Sequence, residues 1–174
     1  MEKKNIFLLV GVFWLIILLG FVIIKEFTLQ TGEEVLLKTR PVDPRDLFRG
    51  DYVVLRYEIS TLDLGSIPTD YTGFENGDKI YVGLSIKEEY GSPSKIYRNS
   101  PKEGLYLKGT VKDVRNNMLN VEYGIENYFV PEGEGRAIER QTGGNLDVKV
   151  SIDKFGNAGI KTLLIDGQEV DFKS

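Results

Sequence analysis

Hydrophobic and polar positions divide this chain into two regimes. From Ile6 to Ile24, nineteen residues run without a charge, bracketed by Lys3 and Lys4 before and by Lys25 and Glu26 after. At about 1.5 Å per residue this makes about 28 Å of helix, close to the ~30 Å hydrocarbon core of a bilayer. The run has no polar face, which a helix packed on a soluble core would keep. It exceeds the ~7–15 apolar residues of a signal-peptide core, and no small-x-small cleavage site follows it. The predicted element is an uncleaved anchor that meets the lipid bilayer through this stretch. Lys3, Lys4 and the amino terminus place the N-terminus in the cytoplasm by the positive-inside rule. Residues 1–29 are then the anchor with its lead-in, and residues 30–174 an extracytoplasmic domain.

Beyond the anchor the period falls to two, the spacing of a strand with one buried face. Strands are expected at 33–39, 52–60, 79–88, 105–114, 118–123, 146–152, 158–165 and 168–172. In the second of these, Val53, Leu55, Tyr57 and Ile59 share a face, and Tyr57 is expected to point inward. Arg115-Asn116-Asn117, Gly156-Asn157 and Asp166-Gly167 suit tight turns, since Asn, Asp and Gly tolerate positive φ. Residues 61–77 and 89–103 are expected to be long polar loops. Residues 124–144 break the pattern. An extended piece around Tyr128 and a short helix over 134–141 are expected there. The fold class is mostly β: a single N-terminal transmembrane helix, then an antiparallel sandwich or barrel-like domain of about eight strands with one short helix.

Charge and composition narrow the function. Residues 1–25 carry Lys3, Lys4 and Lys25 against Glu2, a net +2, so the chain's net −4 leaves −6 on residues 26–174. An acidic body argues against nucleic acid and against lying on anionic head groups. The chain has no cysteine and no histidine. That excludes disulfides and thiolate chemistry, and removes the commonest general base and transition-metal ligand. No cofactor is expected, and a non-catalytic role is favoured over an enzyme.

The densest candidate chemistry is Asp43, Arg45, Asp46, Arg49, Gly50 and Asp51, which leads into Tyr52, Leu55 and Tyr57. Arginine forks grip carboxylates in two-point geometry, so these charges suit a recognition surface. Paired carboxylates about 5–10 Å apart suit glycan hydrolysis. Asp43, Asp46 and Asp51 suit a hard cation, although the spacing fits no standard calcium loop. The structural alternative, which the residue types favour, is a proline-stiffened turn whose charges satisfy one another and the backbone. Tyr128, Phe129 and Pro131 form a second candidate, a groove for a glycan or peptide, or else the cover of a core edge. Arg136, Glu139 and Arg140 suit a solvated helix face. Gly11 and Gly20 lack small-xxx-small spacing, and mid-helix Trp14 suits contact with another membrane helix.

Gly50-Asp51-Tyr52-Val53-Val54-Leu55-Arg56-Tyr57 spells G-D-Y-x-x-L-x-Y, and the chain resembles the GDYXXLXY family of bacterial membrane-anchored proteins. The residues from Asp43 to Arg49, from Tyr128 to Gly133 and from Ile165 to Gly167 share that resemblance. It implies a bacterial envelope protein that works beside a multi-spanning membrane protein, and it supplies no catalytic residues. The segment from Leu47 to Leu55 is also similar to the stretch after the catalytic serine of type I signal peptidases. No serine lies near Val42, where that likeness would place the nucleophile, and a Ser–Lys enzyme needs the hydroxyl. The partner expected from these features is another membrane or envelope protein.

Overall fold

The computed structural model describes residues 3–40, 52–130 and 146–170. Helix α1 (Lys3–Thr31) is followed by strands β1 (Glu33–Lys38), β2 (Tyr52–Val54), β3 (Thr61–Asp63), β4 (Lys79–Lys87), β5 (Tyr90–Tyr97), β6 (Tyr106–Arg115), β7 (Met118–Glu122), β8 (Asn127–Phe129), β9 (Leu146–Ile152), β10 (Ala158–Ile165) and β11 (Gln168–Glu169). The protein is mostly β with one N-terminal apolar helix. Nine strands form one sheet in the order β11-β10-β9-β1-β5-β4-β6-β7-β3, and β2 and β8 form a separate ribbon. Tyr57, shortly before β3, bridges Thr39, just after β1. The main-chain N–H of Arg40 donates to the Arg56 carbonyl at 2.7 Å beside it. That contact brings the β3 edge back to β1, so β1, β5, β4, β6, β7 and β3 curl around a common interior.

The interior follows from alternation. Val35 and Leu37 of β1, Ile80 and Val82 of β4, Leu107 and Val111 of β6, and Val148 and Val150 of β9 are buried in one cluster. Val53, Leu55 and Tyr57 belong to the same cluster, so the ribbon and the large sheet share a core. The expected inward face Val53, Leu55, Tyr57 and Ile59 is buried throughout. The turns at Asn116-Asn117 and Asp166-Gly167 adopt the expected positive φ.

Five expectations are corrected. Residues 89–103 are not a loop, because they contain β5. The β4–β5 turn uses Glu88 and Glu89 at φ 49° and 72°, two residues that carry no turn signature. Pro93 sits inside β5, opposite Leu84. β5 meets β1 only at Tyr90, so the proline's missing N–H faces a largely unpaired edge, where it is tolerated. Residues 61–77 begin with β3 rather than with loop. The expected strand 52–60 is interrupted: β2 ends at Val54 and Glu58–Ser60 is a 3-10 turn. Finally, the sheet is mixed, because β1 and β5 run parallel, with Leu36 opposite Tyr90. Ile86, near the end of β4, is exposed. The described strands number eleven rather than eight. The helix expected at 134–141 lies outside the described residues.

The lead-in after the anchor is helical as well. Gln30 Nε2 donates to Glu26 Oε1 at 2.6 Å and Thr31 Oγ1 to the Phe27 carbonyl at 2.8 Å, both one turn back. α1 therefore runs to Thr31, two residues before β1 begins.

Candidate functional site

The ribbon brings together the two candidate sets from the sequence. Tyr52 pairs with Phe129, Val53 with Tyr128 and Val54 with Asn127. Tyr52 opens β2 and Phe129 closes β8, so the chain enters and leaves the ribbon at one end. Asp43, Arg45, Asp46, Arg49, Gly50, Asp51 and Pro131 lie outside the described residues, as does the Tyr52 side chain. Of the string's described residues, Val53, Leu55 and Tyr57 are core, while Val54 is half-buried and Arg56 exposed. Leu55 is buried, and its N–H donates to the Glu126 carbonyl at 2.7 Å. Tyr57 is fully buried and donates its hydroxyl to the Ile125 carbonyl at 2.6 Å. Burial, aided by the nearby Glu126 carboxylate, holds its phenol well above the usual tyrosine range.

Tyr123, just past the end of β7, repeats the arrangement, donating its hydroxyl to the Ile59 carbonyl at 2.7 Å. Its phenol is pushed far up by burial first and by Glu126 second. Glu126 itself caps the N–H groups of Tyr123 at 2.6 Å and Gly124 at 2.9 Å. Tyr128 is half-buried against the core, and its desolvated phenol is also raised. Phe129 is 77% exposed. The candidate groove thus splits: Tyr128 covers the core edge, while Phe129 faces outward. Beside the ribbon a groove of about 440 Å³ is lined by Arg40, Arg56, Ser60, Lys112 and Glu126 among others. The Ser60 hydroxyl is buried there with no hydrogen-bond partner among the described residues.

A second constellation, which the sequence did not reveal, joins α1 to the sheet. Thr28 Oγ1 donates to Asp153 Oδ2 at 3.0 Å, and Ser151 Oγ donates to the Thr28 carbonyl at 2.7 Å. Asp153 also accepts from the N–H of Phe155 at 2.8 Å, the N–H of Asn157 at 2.9 Å and Asn157 Nδ2 at 2.9 Å. Burial works to raise this carboxyl's pKa, but the four hydrogen bonds outweigh it, and the net shift is downward. Glycines permit the contact. A Cβ on Gly32 would stand 2.4 Å from Ser151 Oγ, and one on Gly159 would stand 2.7 Å from Leu29 Cδ2. Alongside the junction runs a cleft of about 600 Å³, walled by Phe21 and Thr28 of α1 on one side and by Lys79, Lys108, Lys112 and Glu122 on the other. The only sequence signal for it was the outward phase of β6, where Lys108, Thr110 and Lys112 alternate with Leu107, Gly109 and Val111.

Residues 14–163 match the family described as GDYXXLXY protein. The chain belongs to the GDYXXLXY protein family. The matched span includes the far half of α1, the junction residues Thr28, Ser151 and Asp153, and the whole ribbon. No curated protein and no solved structure matches the chain. The likeness to type I signal peptidases accordingly gains no support. Among the described residues no group of three or more His, Cys, Asp and Glu is placed to hold a metal ion.

Proposed function

We propose that this GDYXXLXY protein is a single-pass membrane protein whose β domain, residues 30–174, lies outside the cytoplasm as a non-catalytic accessory or interaction module. Its partner is another membrane or envelope protein. The observation that carries this reading is α1. Phe7–Thr31 is long and apolar enough to cross a membrane. Its large side chains, among them Phe13, Trp14 and Phe21, are exposed rather than packed on the domain. So large an apolar surface requires lipid or protein around it. The polar clamp at Thr28, Ser151 and Asp153 supports a domain held at a set position over the membrane, which suits contact with a neighbour in the same membrane. The missing histidine and cysteine, and the use of the buried Tyr57 and Tyr123 hydroxyls on main-chain carbonyls, favour a scaffold over a reaction centre.

The test is a pull-down from gently solubilised membranes against an anchor-only control. Enrichment of a membrane protein that needs the β domain is the expected result, and equal recovery on both baits would refute the reading. A phosphatase reporter active only outside the cytoplasm, fused after Ser174, should be active. Silence with stable expression reverses the topology.

The exposed Phe129 favours a second reading, a glycan- or peptide-binding ribbon. It predicts that Phe129→Ala weakens co-sedimentation with cell wall. Unchanged sedimentation removes it.

A further inference from the structure

The cleft beside the helix junction departs from the charge of the body around it. Its charged lining is Lys79, Lys108, Lys112 and Glu122. This gives a local +2 within a region, residues 26–174, that carries −6. The lysines come from the outer faces of neighbouring strands. Lys79 of β4 stands opposite Thr110 of β6, and Thr110 opposite Glu122 of β7, with Lys108 and Lys112 on either side of Thr110 along β6. Lys79 Nζ donates to Thr110 Oγ1 at 2.6 Å, which leaves it other protons to give. Lys112 pairs with Glu122 at 2.6 Å. Lys108 has no side-chain partner among the described residues.

The opposite wall of the cleft is the helix, and its character changes along the axis. Phe21 belongs to the uncharged run from Ile6 to Ile24 and is exposed. Thr28, seven residues and about 10 Å further on, is locked into the domain. One cleft therefore runs from an apolar wall at the end of the membrane-crossing stretch to a basic wall at the foot of the domain. That is the sequence of environments between acyl chain and phosphate at a bilayer surface. Lysines suit the place, since their methylene stems lie on apolar surface while the ammonium reaches the head-group layer.

We infer that this cleft binds one anionic phospholipid, its phosphate against Lys79 and Lys108 and an acyl chain along Phe21. The inference rests on the reading that α1 spans the membrane. The net negative charge of residues 26–174 opposes non-specific adhesion to an anionic membrane, so a lipid retained by the domain owes its place to this cleft. A lipid seated there bridges helix and sheet and adds to the clamp at Thr28.

The test uses the full chain in nanodiscs made from equal parts of phosphatidylglycerol and phosphatidylcholine, with native mass spectrometry of the released protein. Retention of one phosphatidylglycerol in preference to phosphatidylcholine is expected. Lys79→Gln with Lys108→Gln should reduce that preference by about tenfold or more. Lys108→Arg, which keeps the charge, should retain it. Both lysine side chains are exposed, so an unchanged melting temperature shows that the Gln variants fold. Equal retention of the two lipids, or a preference that survives the double Gln variant, overturns the inference. So does displacement of the lipid by excess inorganic phosphate, which would make the cleft a simple anion site. Loss of a co-purifying protein in the Gln variants, with lipid retention unchanged, reassigns the cleft to an acidic segment of that partner and also overturns it. Failure of the chain to enter nanodiscs defeats the membrane reading and this inference together. Entry without lipid selectivity defeats this inference alone.

Discussion

The ribbon core and the helix junction both tie distant parts of the chain together, yet they do so by opposite means. At the ribbon, Val53, Leu55 and Tyr57 vanish into a shared apolar cluster, and the polar atoms that go with them, the Tyr57 and Tyr123 hydroxyls, find main-chain carbonyls. At the junction the contact is polar: one threonine, one serine and one aspartate linked by hydrogen bonds, with glycines granting the approach. An apolar core holds in proportion to area removed from water, while a hydrogen-bonded clamp holds only while its geometry is kept. The first suits an element that never moves. The second suits a coupling between two bodies, here the helix and the β domain.

The largest expected effect lies in the core. Tyr57→Ala removes a fully buried aromatic ring and orphans the Ile125 carbonyl, and should cost about 3–5 kcal/mol in urea unfolding of the domain. Leu55→Ala should cost about 2–5 kcal/mol by the same argument. Either variant with wild-type stability would break the comparison, because the string would then be a surface motif. Gly32→Ala comes next. Its new Cβ would stand 2.7 Å from the Thr28 carbonyl oxygen and 2.8 Å from that of Ile152, backbone atoms that cannot swing aside. A loss of about 1–3 kcal/mol is expected, with faster amide exchange at residues 29–32 and little change in β6 or β7. Uniform acceleration across the sheet would show that the helix end belongs to the same cooperative unit as the core.

The two regions also differ in how far the sequence disclosed them. The core face of the string was legible because alternation is a local signal, and Val53, Leu55, Tyr57 and Ile59 obey it even though the regular strand ends at Val54. The turns at Asn116 and Asp166 were legible because those residue types accept positive φ. β5 was hidden, since its turn is made by Glu88 and Glu89 and its body contains Gly91 and Pro93, both poor strand formers. The junction was hidden for a different reason. Thr28 and Asp153 are 125 positions apart, and no local period announces a pair brought together only by the fold. The basic cleft was masked by averaging, because a net acidic domain conceals three lysines that the strands gather on one face.

A subtler effect is expected when the junction is titrated. The Asp153 carboxyl is held below its ordinary value of 3.8, against its own burial, by bonds from Asn157, Phe155 and Thr28. A depressed carboxyl stabilises the fold above its unfolded pKa and loses that contribution as pH falls through the folded one. The clamp should therefore be intact at neutral pH and weaken only below about pH 4. Asp153→Asn keeps the shape and removes the titration, so stability of the variant should fall less steeply over that acid range. Tyr57 and Tyr123 give the contrast, because their phenols stay neutral at every pH where the clamp titrates. A variant with the wild-type slope would mean that other carboxylates carry the acid response.

The smallest effect sharpens the comparison by showing what neither region relies on. Lys161 Nζ lies 2.5 Å from Glu34 Oε1, a pair that reaches from β10 to β1 and, on distance alone, resembles a clamp as much as Thr28 with Asp153 does. The Glu34 carboxyl is lowered by its hydrogen bond from Lys161 and by that charge. Both side chains are substantially exposed, however, so water and salt screen the attraction and the fixed geometry costs side-chain entropy. A double-mutant cycle of Glu34→Gln and Lys161→Met should give a coupling below about 1 kcal/mol that shrinks as salt is added. Asp153 is less exposed and gathers several donors, so its coupling to Thr28 in a Thr28→Val, Asp153→Asn cycle should resist the same salt. Equal salt sensitivity in the two cycles would reduce the junction to one more surface contact. Unequal sensitivity identifies the hydrogen-bonded aspartate, rather than charge attraction, as what fixes the helix to the sheet.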